Sequence, residues 1–62
     1  MNLSSVDRSF VVFRQPWGDH EWDSCEPGQE KLCAEWHGAV LVFVASSKSR
    51  AEREVRILNG WN

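Results

Sequence analysis

The sequence predicts a small α+β domain: an antiparallel three- or four-stranded meander with one C-terminal α-helix packed on one face. Three observations lead there. Ser9–Arg14 and Ala39–Ala45 are runs dominated by β-branched and aromatic residues. Glu30–Trp36 alternates, with Leu32, Ala34 and Trp36 on one side and Lys31, Cys33 and Glu35 on the other, as a half-buried strand would. From Arg50 to Asn59 the period lengthens to that of a helix, and Ala51, Val55 and Leu58 share one stripe.

In chain order, residues 1–8 are polar and read as a loose N-terminal arm of a single domain spanning 1–62. Ser9–Arg14 is the first strand. Phe10 and Val12 point to one side and Val11 and Phe13 to the other, so both of its faces call for burial. Gln15-Pro16-Trp17-Gly18 stops it, because Pro16 has no amide to donate and Gly18 accepts a positive φ. His20–Cys25 is polar apart from Trp22 and fits a short edge strand or a loop. Glu26-Pro27-Gly28-Gln29 has the form of a type II turn, which would fold Glu30–Trp36 back as a hairpin with Cys25 facing Glu30 and Cys33 facing Trp22. His37-Gly38 then reads as a second tight connection, into Ala39–Ala45.

The final helix carries a capping-box pattern, Ser49-Arg50-Ala51-Glu52, and a Glu52–Arg56 pair at i, i+4. Gly60 stands where a left-handed residue ends a helix, with Ile57 and Trp61 beside the stripe. One helix covers one face of a sheet, yet two strands are apolar on both. The uncovered face therefore calls for the loop tryptophans, a second copy of the chain or another protein. A homodimer is the expected form, since two-fold pairs are the commonest oligomers and a chain of 62 residues builds only a modest core.

Charge and motif content narrow the function. The net charge is −2, which does not favour a general nucleic-acid coat. Lys48, Arg50, Arg53 and Arg56 form the one basic stretch and supply a nucleic-acid alternative, although Glu52 and Glu54 interrupt it. No run is long and apolar enough to span a membrane. No basic start followed by an apolar block opens the chain, so the expected location is cytoplasmic, with reduced cysteines. Phosphate-loop, nucleophile-elbow and H-E-x-x-H patterns are all missing, and a core this small leaves little room to enclose a substrate, so no enzymatic activity is expected.

Two candidate sites remain. His20, Cys25, Cys33 and His37 have the donor types of a zinc site, although the tight knuckle spacing of zinc fingers is missing. A small zinc-stabilised module is accordingly one alternative, and no other cofactor is implied. The second candidate is the acidic segment Trp17, Asp19, Glu21, Trp22 and Asp23. Large rigid side chains within a polar rim have the composition of a protein interface. The principal expectation is a non-enzymatic protein-interaction module, a small regulator or inhibitor of a larger protein, docking through that segment.

Overall fold

A computed structural model describes residues 8–60. The N-terminal arm expected over residues 1–8 lies outside them apart from Arg8, and so does Trp61. The chain folds as an α+β domain with the order β1 (Ser9–Arg14), β2 (His20–Cys25), α1 (Glu30–Trp36), β3 (Val40–Ala45) and α2 (Lys48–Leu58). The strands form one antiparallel sheet in the order β2-β1-β3. β1 is central, as its two apolar faces require: Val11, Val12 and Phe13 are all buried.

The hairpin between β1 and β2 is closed at Gln15–Asp19, where the Gln15 amide donates to the Asp19 carbonyl at 2.7 Å and Gly18 takes φ 104°. Its register sets Val12 opposite Trp22 and Val11 opposite Asp23. On the other side, Val12 pairs with Phe43 and Phe13 with Leu41, so Val42 is the extra residue of a β-bulge.

Four expectations are corrected. Glu30–Trp36 is a helix, not a strand. The Glu26–Gln29 turn does form, with the Gln29 amide donating to Glu26 at 3.0 Å and Gly28 at φ 95°, but it opens α1 instead of a hairpin. Seven residues of alternation cannot exclude a helix, and Glu, Lys, Leu and Ala without one β-branched residue favour it. Consequently Cys25 pairs with Ser9 and Trp22 with Val12. His37-Gly38 becomes the C-terminal turn of α1, with Gly38 at φ 66°. Second, the sheet is not a meander, because β3 returns to lie beside β1. Third, the described residues hold two helices, not one. Ala51 and Val55 of α2 pack on Val12 and Ala45, whereas Ala34 of α1 packs on Val11 and Phe13 of the opposite face. The face that called for an outside partner is thus filled by α1. Fourth, α2 begins two residues early. Ser47 is extended and its Oγ accepts from the Arg50 amide at 3.2 Å, which places Arg50 where a capping box needs an acid. The ion pair on α2 is Arg50–Glu54 at 3.4 Å rather than Glu52–Arg56. Gly60 ends the helix in the left-handed conformation, at φ 79°.

Candidate functional site

Strand alternation divides β2 between the two faces. Glu21, Asp23 and Cys25 stand opposite Phe13, Val11 and Ser9 on the α1 side, and Trp22 stands opposite Val12 on the α2 side. On α1, Cys33 and the capping residue His37 are four apart, one turn above each other. The two pairs meet. His37 Nε2 lies 2.8 Å from Asp23 Oδ2, and Cys33 Sγ lies 3.8 Å from the same oxygen. The three donor atoms all fall within 4.8 Å of one another. The His37 ring stacks on Phe13 with centroids 4.5 Å apart, which fixes its plane. Cys25 lies beside Cys33, near enough that each thiol perturbs the ionisation of the other. All four line a cleft of about 330 Å³ that is walled by Leu32 and Trp36.

The electrostatics follow from this packing. The hydrogen bond from His37 holds the Asp23 carboxyl below its usual range. Burial, reinforced by the Asp23 charge, pushes the Cys33 thiol up to about 11, and burial with the Glu30 charge raises Cys25. At neutral pH both are thiols. Cys33 directs its sulfur at a carboxylate rather than at an imidazole nitrogen, which does not activate it as a nucleophile.

Of the expected zinc set, the structure brings Cys33 and His37 together, leaves Cys25 beside Cys33 but outside their group, and sets His20 apart. His20 is on the α2 side, where its amide donates to Asn59 Oδ1 at 2.8 Å, its carbonyl accepts from Asn59 Nδ2 at 3.1 Å and its Nδ1 sits 3.2 Å from the same Oδ1. Asp23 is the third member of the gathered group. Its place in the sequence puts it in the acidic interface segment; the signal that identifies it is its i, i+2 spacing from Cys25, which puts both on one strand face.

No family model matches the chain, and no curated protein and no solved structure matches it. The site must therefore be read from its own geometry.

The acidic tryptophan segment is split by the strand. Trp17 is 71% exposed at the tip of the hairpin, with Asp19 and Glu21 also exposed. Trp22 instead is half-buried against Phe10, with ring centroids 6.1 Å apart, and Lys48 Nζ stands 6.0 Å over its ring. A different surface has more exposed apolar area. Among the described residues β3 pairs only with β1, and Val40, Val42 and Val44 are 69%, 46% and 45% exposed. In the basic stretch, Lys48 is placed over Trp22 and Arg50 is engaged by Glu54 and lies 5.4 Å over Phe43. Two of the four cations proposed for phosphate thus have partners within the chain. No helix among the described residues is long and apolar enough to cross a membrane.

Proposed function

We propose that this chain is a non-enzymatic protein-interaction module, a small regulator that pairs with a second copy of itself through the free edge of β3. One observation carries this. Val40–Ala45 has six apolar residues, with no proline and no charge, at a sheet edge that has no partner among the described residues. Sheet edges left unguarded in this way are templates for strand addition, and proteins that stay monomeric usually protect them with charge. The opposite edge has that protection, because Asp19, Glu21 and Asp23 lie in and beside β2. A second copy suits the β3 edge because antiparallel pairing of two neutral strands sets no like charges opposite each other.

The test is sedimentation at micromolar concentration, with twice the chain mass as the expected result. Val42→Lys puts a charge on the bulged, half-exposed position and should give the single-chain mass while altering stability by no more than about 1 kcal/mol. A wild-type chain that sediments as a monomer at every concentration removes this proposal. A second contact, with a larger protein, is favoured by the exposure of Trp17 at the hairpin tip beside Asp19. Trp17→Ala should then release that partner without changing the dimer, because Trp17 lies at the end of the β1–β2 hairpin and outside β3.

A further inference from the structure

We infer that Asp23, Cys25, Cys33 and His37 form a structural zinc site that fastens α1 to β2. The donors arrive in two pairs, each set by the geometry of its element. Positions two apart on a strand share a face, which gives Asp23 and Cys25; positions four apart on a helix share a side, which gives Cys33 and His37. A tetrahedral zinc ion with bonds of about 2.0–2.3 Å needs its donors about 3.3–3.8 Å apart. The Asp23–His37 and Asp23–Cys33 separations are 2.8 and 3.8 Å, and the three donors span no more than 4.8 Å. No pair among these three has to move by much more than about 1 Å to close on an ion of that size, and Cys25, which adjoins Cys33 outside that group, is the donor that has to swing in. Two thiolates, one imidazole and one carboxylate form a soft-to-borderline set, which selects zinc over magnesium or calcium. With Cys25 drawn in, four protein donors fill the coordination sphere, so the site is structural and leaves no position for a substrate.

A second observation, independent of the donors, points the same way. α1 is seven residues long and Ala34 is its single buried residue. Two helical turns are unstable alone, and one alanine contributes little burial to hold them on a sheet. Leu32 and Trp36, the large apolar residues of α1, are turned outward, 51% and 86% exposed. The helix lacks an apolar anchor where the four donors sit, and metal ligation is one of the few staples available to so short a chain. When zinc binds, the Asp23–His37 hydrogen bond gives way to shared ligation, and Phe13 keeps the imidazole plane in place. This inference is independent of β3 pairing, because the cleft lies on the β2 side of the sheet.

The experiment uses the full chain, kept reduced and stripped with a chelator, then titrated with cobalt(II) alone as a spectroscopic stand-in for zinc. One cobalt per chain is expected, with a thiolate-to-cobalt charge-transfer band and the visible absorption of a tetrahedral ion. Zinc should displace it and raise the thermal midpoint, and chelation should reverse the gain. Cys33→Ser, Cys25→Ser and Asp23→Asn should each weaken uptake by at least the ~10–100-fold typical of losing an outer-sphere partner. His20→Ala should bind one cobalt like the parent. Absence of the charge-transfer band in the reduced parent overturns the site, and this outcome requires no variant to fold. Uptake unchanged in Asp23→Asn, or abolished in His20→Ala, overturns the donor set.

Discussion

Glu30 illustrates how one side chain can hold a junction. Its carboxylate accepts from Ser9 Oγ at 2.6 Å and from the Gly28 amide at 3.0 and 3.1 Å, so it joins the start of β1, the turn and the first residue of α1. The Ser9 hydroxyl and the backbone donors hold its pKa below the ordinary 4.5. A carboxyl with a depressed folded pKa contributes stability in full above its unfolded value and loses that contribution as pH falls through the lower folded value. The parent should therefore exceed Glu30→Gln in stability at neutral pH, and the gap should close as acid takes pH below 4.5 and through the folded value. Denaturant titrations of both proteins across that range check it; a gap that persists in strong acid would show that the difference is not electrostatic.

At the scale of the element, Trp22 and α1 separate what the sequence discloses from what it hides. Trp22 was grouped with Trp17 by proximity along the chain, but strand alternation turns it onto Phe10 and beneath Lys48. Trp22→Ala should lower stability by about 2–3 kcal/mol, short of the ~3–5 for a fully buried ring, and chemical denaturation measures it. A loss under about 0.5 kcal/mol would return Trp22 to the surface class. β1 and β3 are legible as short runs of β-branched and aromatic residues, and α2 by its helical period. β1 is apolar on both faces, and Ala51 and Val55 fall four apart. α1 was not, because over seven residues the strand and helix periods both place Leu32 and Trp36 on a common side, and the Pro27-Gly28 turn serves a hairpin or a helix start equally. The same ambiguity concealed the candidate site. A strand over Glu30–Trp36 sets Cys33 opposite Trp22 and leaves His37 in the following turn; a helix brings both to Asp23.

Across the whole molecule, β1 is the best-protected element, hydrogen-bonded along both edges and covered on both faces. Its amides should exchange most slowly with solvent, near the rate set by global unfolding. The outward amides of β3 should exchange quickly in dilute solution and slow as concentration rises, if two copies pair there. Slow exchange at β3 in a monomer, independent of concentration, would show that the edge is covered from within the same chain. The topology also imposes an order on assembly. β2 and β3 both run against β1, and so parallel to each other, which means that the connection through α1 must pass over β1 before β3 can seat. A chain ordered only as far as Gly38 can close its first hairpin but leaves the far edge of β1 open. A second copy offers a competing Val40–Ala45 to that open edge, and the turn at Gly38 is the hinge about which the last strand and helix would swing into the wrong chain. Exchange of that C-terminal segment between copies is the misassembly this arrangement invites.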